Sequence, residues 1–374
     1  MRGVYDQAIS SIKEEGLSVF LDRSVRYSTL KLKRLFESED KENLQKWKDI
    51  KNKYKGKRAF ILGNGPSLNE TPLYLLKDEF TMCFNRVNML YERLSWKPDF
   101  FAITDDLVYM DMLDDLNGKL LEDFEYSFFP DITPYNINFK EKLKARDNVL
   151  WLHTDTPGFS LNLPYCGINQ SVVNAGLQIL AYLGFTEIYV LGVDMSFASH
   201  TGKKLSSRDW EAKDNNDISH FDPRYWGKGK KYHTARVDIM AEKFDDAYKF
   251  FTQNGVNIYN STIGGKLEAF PRKAIRELFN YPEEEERQLF IDGINPKLSV
   301  DAFLKFWNES KVIKTVEEFS VTDEVFTTDN VLGKDLIRTA ILSHIPFGPY
   351  QNKYIFIDRN SNILQKINNQ DEPK

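Results

Sequence analysis

The chain has 374 residues, 41% hydrophobic and 14% aromatic, and its 50 lysines and arginines stand against 55 aspartates and glutamates for a net charge of −5. That composition argues against general disorder, and the slight acidic balance against a nucleic-acid binder, which carries a basic excess. Cys83 and Cys166 are too few for a disulfide framework or a cysteine zinc site, and no apolar run approaches the ~20 residues that cross a bilayer, so the chain reads as cytoplasmic with reduced thiols.

Residues 1–56 read as an N-terminal helical appendage. Ile9, Ile12, Leu17, Phe20 and Leu21 recur near helical spacing, and Trp47 and Ile50 are the apolar contacts of a charged run. Basic residues between 23 and 57 alternate with Tyr27, Leu30, Leu32, Leu35 and Phe36, a pattern of a solvated helical face or of peripheral contact with the inner face of a membrane. Residues 57–275 read as an α/β domain, a Rossmann-like parallel sheet. Its first strand is the apolar run Ala59, Phe60, Ile61, Leu62, which stops at Gly63-Asn64-Gly65-Pro66-Ser67. Two glycines permit a tight turn and close approach to a ligand, and backbone donors at the carboxyl end of a first strand suit a phosphate. A plain strand-to-helix turn is the competing reading.

Further strands are expected at FTMCF (80–84), DFFAIT (99–104), YSFF (126–129) and VLWLH (149–153), with a crossover helix over 87–94. A helix from Val172, ended by Gly184, feeds a β-rich strand over 187–191 that closes on Gly192 and Asp194. The polar, aperiodic stretch 198–232 reads as a lid. A helix over 234–253 with Ile239, Phe244, Tyr248 and Phe251 on its apolar face leads into the last core strand, VNIYN. Residues 276–374 form a small C-terminal appendage in which YIFID and ILQKI resemble a terminal hairpin.

The five histidines are His153, His200, His220, His233 and His344, and no HxxxH or CxxC occurs, which favours chemistry without a metal. His233 is the attractive base: a helix start would hold its imidazole, with Asp238 nearby, and the helix N-terminus would depress its pKa and keep it neutral. A surface cap is the bland alternative. Asn85, Asp105, Ser171 and Asp194 flank the carboxyl ends of expected strands, where each either caps a helix or meets a ligand.

GNGPS after the first strand, CFN at the end of the second, LGFTEIYVLGVD, and YHTARVDIMAEKF together resemble the bacterial CMP-sialic-acid-dependent sialyltransferases. They equally resemble the sialyltransferase-like domain of flagellar motility accessory factors and related pterin pyrophosphokinase-like proteins. The resemblance, over about residues 57–275, implies a GT-A-like variant of the fold with a lid, and an inverting, metal-independent glycosyltransferase of cell-surface glycan synthesis. It implies a nucleotide-sugar donor, a CMP-linked acidic sugar, and a glycan or lipid-linked glycan acceptor, with no cofactor; self-association is left open. It implies that Asn64 and Ser67 contact the nucleotide, Asn85 the donor sugar or ribose and Ser171 the donor carboxylate, that His233 is the general base, and that His220 is a second motif histidine. Two positions depart from the sialyltransferases: Asp105 stands for an asparagine, and Ser196 for a phosphate-binding tyrosine that Tyr225 or Tyr232 from the lid would replace. The pterin branch implies a Mg²⁺-dependent diphosphotransferase instead, with Asp105, Asp106 and Asp194 as metal candidates. A binding protein without turnover is the third reading.

Overall fold

The computed structural model describes residues 40–279 except 72, 93, 95, 134–136, 155, 199–201 and 207–208, with isolated helical positions before residue 30 and four short strands after residue 310. They divide into two compact units. The first (Met1–Leu68, Asp78–Met89 and Lys97–Ile275) is built on seven parallel strands. These are β1 (Arg58–Leu62), β2 (Phe80–Phe84), β3 (Phe100–Ala102), β4 (Tyr126–Pro130), β5 (Val149–Leu152), β6 (Glu187–Leu191) and β10 (Asn257–Asn260). Between β6 and β10 the chain forms a separate antiparallel sheet of β7 (Lys203–Lys204), β8 (Asp209–Glu211) and β9 (Lys231–His233).

The main sheet runs β10-β6-β1-β2-β3-β4-β5. The chain therefore winds outward from β1 to β5, then returns to lay β6 on the other side of β1, and the order reverses between these two strands. Burial on both faces explains their unbroken apolar character. Ala59, Ile61, Met82, Phe84, Phe100 and Val190 face one core, where helices Lys41–Ile50, Val172–Leu183 and Val237–Gln253 pack. Trp47 lies 5.3 Å from the Phe128 ring and donates its indole N–H to the Trp151 carbonyl. Alternate residues face the other way: Phe60 stacks on Tyr189, Phe101 on Phe124, and Tyr109 on Phe139.

Helix Val172–Leu183 is capped by Ser171, whose hydroxyl accepts the Val173 N–H, and ends at Gly184 with φ +100°, a conformation that glycine adopts without strain. Both cysteines are buried and unpaired, and burial pushes the Cys83 thiol well above its ordinary value, so neither is poised as a nucleophile.

Several expectations are corrected. The crossover over 87–94 is a 3-10 helix, Val87–Glu92. Helix Val237–Gln253 buries Phe244, Ala247 and Phe251, while Tyr248 is 36% exposed and lies beside Phe270. The lid carries secondary structure of its own. In the second unit, β14 (Tyr354–Asp358) pairs antiparallel with β13 (Ala340–His344), in a sheet ordered β11-β12-β14-β13 with β11 (Lys311–Val312) and β12 (Val325–Thr327). The expected partner ILQKI lies outside the described residues, as does His200.

Candidate functional site

At the reversal between β1 and β6, where an open α/β sheet leaves its ligand crevice, the chain fills much of that crevice with itself. Gly63 N–H donates to the Leu191 carbonyl at 2.7 Å and Gly65 N–H to that of Gly192 at 2.8 Å. The buried Ser67 hydroxyl donates to Asp194 at 2.8 Å, and the same carboxylate accepts the Ser67 N–H at 3.3 Å. Of the backbone donors that this loop is expected to present to a phosphate, the N–H groups of 63, 65 and 67 are bonded within the chain, and Pro66 has none. The glycines are required for close backbone approach, since a Cβ on Gly63 would lie 2.3 Å from the Gly192 oxygen. Ser67→Ala is expected to destabilise the fold by ~1–3 kcal/mol, read from urea denaturation, because it strips a hydrogen bond from a buried carboxylate.

Two strands along, the loops after β2 and β3 carry Asn85, Arg86, Asp105 and Asp106. Asp105 caps helix Asp106–Asp111 by accepting the Val108 N–H. His233 is the last residue of β9 and sits four residues before helix Val237–Gln253, not at its start. Its partners differ from the expected Asp238 accordingly. The antiparallel register sets Asp209 of β8 directly opposite, and the two side chains meet, Nδ1 to Oδ1, at 2.6 Å. On the other side of the ring, Nε2 lies 3.7 Å from Asp106.

The expected electrostatics are reversed as well. Burial alone would lower the His233 pKa, but the nearby Asp106 carboxylate, the Asp105 charge and the Asp209 hydrogen bond outweigh it and raise the value to about 9. At neutral pH the side chain is an imidazolium held among three carboxylates. Burial raises the Asp105 pKa, against the opposing pull of His233. Asp105, Asp106 and His233 each offer a ligand atom, all within 4.8 Å of one another, and they are the group among the described residues that could hold a metal ion.

His233 also forms part of the wall of an open cavity of about 330 Å³ lined by the lid segment, with His220, Trp226, Tyr232, Asp217 and Lys213 among its lining. Asp217 holds His220 Nδ1 at 2.7 Å, and the His220 ring stacks on Tyr225 at 4.0 Å, nearly parallel. Of the residues singled out in the sequence, His220, Tyr232 and His233 meet at this cavity. Tyr225 is buried behind His220, against Asn85, and burial holds its phenol well above the ordinary value. Asn64 is joined to the lid through its carbonyl, which accepts the Phe221 N–H at 3.0 Å. Gly63, Gly65, Pro66, Ser67, Ser171 and Asp194 do not line the cavity; Ser171 serves as a helix cap. The sequence reading missed Asp209 and Asp217, the carboxylates that orient the two histidines. Asp209 stands 24 positions from its histidine, and no local spacing announces such a pair.

Arg86 was missed too. Its side chain is only 4% exposed and pairs with Asp111, where Lys230 of the lid joins it at 2.6 Å. The Tyr225 and Trp226 rings lie over its guanidinium.

Residues 35–200 match the MptE-like family model. The model is described as 6-hydroxymethylpterin diphosphokinase MptE-like. This agrees with the pterin pyrophosphokinase-like proteins among those the motifs resemble. Two solved structures are similar. One is the MAf glycosyltransferase of Magnetospirillum magneticum AMB-1, at 15% identity and a TM-score of 0.36 over 72% of this chain and 44% of that one. The other is the sialyltransferase CstII of Campylobacter jejuni, in complex with the substrate analogue cytidine-5'-monophosphate, at 16% identity and a TM-score of 0.36 over 59% of this chain and 86% of that one. The chain thus spans less than half of the first structure. No curated protein matches it. No helix among the described residues is long and apolar enough to cross a membrane.

Proposed function

We propose that the chain is a group-transfer enzyme that moves a sugar from a nucleotide-activated donor, a CMP-linked acidic sugar, to a glycan hydroxyl in bacterial surface-glycan synthesis. One observation carries the reading: His233, fixed by Asp209 on one nitrogen and facing Asp106 with the other, stands at the wall of a cavity. An imidazole oriented by a carboxylate at a concave site is the arrangement a proton-transfer group needs. In an inverting displacement, an acceptor oxygen attacks the anomeric carbon as the bond to the departing phosphate breaks. His233 in its neutral form takes the acceptor proton. The surrounding carboxylates stabilise the imidazolium that results and return the site to its protonated resting state.

A second reading, diphosphoryl transfer, is favoured by the Asp105–Asp106–His233 group and by the description of the matching family model. Two carboxylates and one imidazole suit a divalent cation, and the imidazole suits Mn²⁺ better than Mg²⁺, which keeps to oxygen donors. Asp209, on the far nitrogen, would orient the imidazole toward such an ion. The cation would supply charge neutralisation for transferring phosphates.

The two readings separate in a thermal-shift panel of CMP, CDP, UDP, GDP and ATP, each with EDTA, Mg²⁺ or Mn²⁺. A ligand at a hundredfold excess over its Kd stabilises the native state by about 2.7 kcal/mol, enough to move the midpoint visibly. Stabilisation by CMP in EDTA is the expected result. Stabilisation by ATP alone, and only with a divalent cation, overturns the glycosyltransferase reading in favour of the second.

A further inference from the structure

Arg86 carries a charge that its surroundings do not balance. Its Nε and Nη2 are fully buried and have no hydrogen-bond partner among the described residues. Its Nη1 donates to Asp111 Oδ2, but the Lys230 ammonium donates to that same oxygen. One carboxylate thus faces two cations, and burial of the Asp111 carboxyl, which would raise its pKa, is outweighed by Lys230 and Arg86, which keep it ionised. The other acids of the neighbourhood have partners of their own: Asp217 bonds His220, and Asp105 caps its helix beside His233. Next to Arg86 in sequence, Asn85 holds φ at +56° and leaves its side-chain oxygen buried without a hydrogen-bond partner among the described residues. A buried guanidinium with two idle donors is expensive to maintain for packing alone. What covers it is aromatic and belongs to the lid: the Trp226 ring at 5.2 Å and the Tyr225 ring at 5.9 Å. Trp226 also lines the cavity.

We infer that Arg86 is an anion-binding residue whose Nε–H and Nη2–H fork takes two oxygens of a substrate oxyanion when Trp226 moves off the guanidinium, with Lys230 as a second charge and Asn85 as acceptor for a neighbouring hydroxyl. A planar fork with two parallel donors matches phosphate or carboxylate geometry, which a lysine cannot reproduce. In the resting molecule the two rings hold the guanidinium by cation–π contact, and the anion replaces them. The inference deepens the proposed function by naming where the donor's anion sits, and rests on that reading for the origin of the anion alone.

The test is isothermal titration of the full chain with inorganic pyrophosphate and, separately, with glucuronate, on wild type, Arg86→Lys and Trp226→Ala, with tryptophan fluorescence of wild type and Trp226→Phe recorded alongside. The expected result is binding of at least one oxyanion, weakened about tenfold or more in Arg86→Lys although the charge is kept. Pyrophosphate binding assigns the fork to a phosphate and glucuronate binding to a sugar carboxylate. Fluorescence changes on binding in wild type and much less in Trp226→Phe. Equal affinity in wild type and Arg86→Lys overturns the inference, as does the absence of binding by both anions. Where Arg86→Lys does not fold, Trp226→Ala decides: uncovering the guanidinium is expected to raise affinity several-fold, and unchanged affinity rejects the anion role. Neither probe needs glycosyl transfer. Arg86-dependent pyrophosphate binding without any CMP response would retain this site and remove the glycosyltransferase reading, and a CMP response that ignores Arg86 would do the reverse.

Discussion

Replacing His233 by glutamine is expected to lower turnover by about 10²–10⁴-fold while nucleotide affinity stays within about twofold, because the amide fills the space and cannot take a proton. The pH profile tests the assignment more sharply. With the pKa raised to about 9, the neutral base is a small fraction of the free enzyme at pH 7. The apparent kcat/KM should then climb about tenfold per pH unit and level off near pH 9. Asp209→Asn removes one of the groups that raise this value, so its plateau begins at lower pH. A profile flat between pH 7 and 9 would take His233 off the proton path. The same shift acts on stability. A group whose pKa rises on folding stabilises the native state fully below its unfolded value, near 6.5, and that contribution disappears as pH climbs through about 9. Urea midpoints of wild type and His233→Gln should therefore differ most near pH 6 and converge above pH 9.

Gly63→Ala is expected to be strongly damaging, costing about 3 kcal/mol or more in urea denaturation. A methyl there meets Gly192 oxygen at 2.3 Å and its carbonyl carbon at 2.7 Å. Both are backbone atoms of the loop after β6, and Gly63 N–H is already bonded to Leu191 at 2.7 Å, so relief demands separation of β1 from β6. By contrast, Gly56→Ala, at φ +80° with nothing within 4 Å, bears only the strain of its backbone, on the order of 1–2 kcal/mol. A Gly63→Ala protein as stable as the Gly56→Ala control would show that the β1–β6 junction yields easily.

The sheet was legible because its strands are buried on both faces and announce themselves as apolar runs. Phe80–Phe84 and Glu187–Leu191 form strands at the residues the runs mark, and Gly184 ends its helix as its position requires. The lid was not legible as a sheet. Lys203–Lys204, Asp209–Glu211 and Lys231–His233 are short and lack any fully buried residue, so no alternation of apolar and polar side chains betrays them. That gap carried over into the site. His233, read as a helix start, was given the chemistry of a helix dipole, whereas its place on a strand delivers it to Asp209 across the ladder and to Asp106 from the body of the domain. Family likeness pointed to His233 as a general base, and the residue does line the cavity, but its charge was not legible, because the three acids around it come from positions 105, 106 and 209. Arg86 escaped notice for a similar reason: a lone arginine after a strand carries no signature until Tyr225, Trp226 and Lys230 are seen around it.

The placement of β6 beside β1 also governs how the molecule can be made. The first strand finds β2 within a few tens of residues, but its other neighbour is encoded about 130 residues later. During synthesis from the N-terminus, β1 therefore waits with one edge bare and apolar side chains uncovered until the chain through Leu191 has emerged. Closing so distant a pair is entropically slow. The nascent chain is at its most adhesive over that interval, and holding this edge is where a chaperone would have most effect.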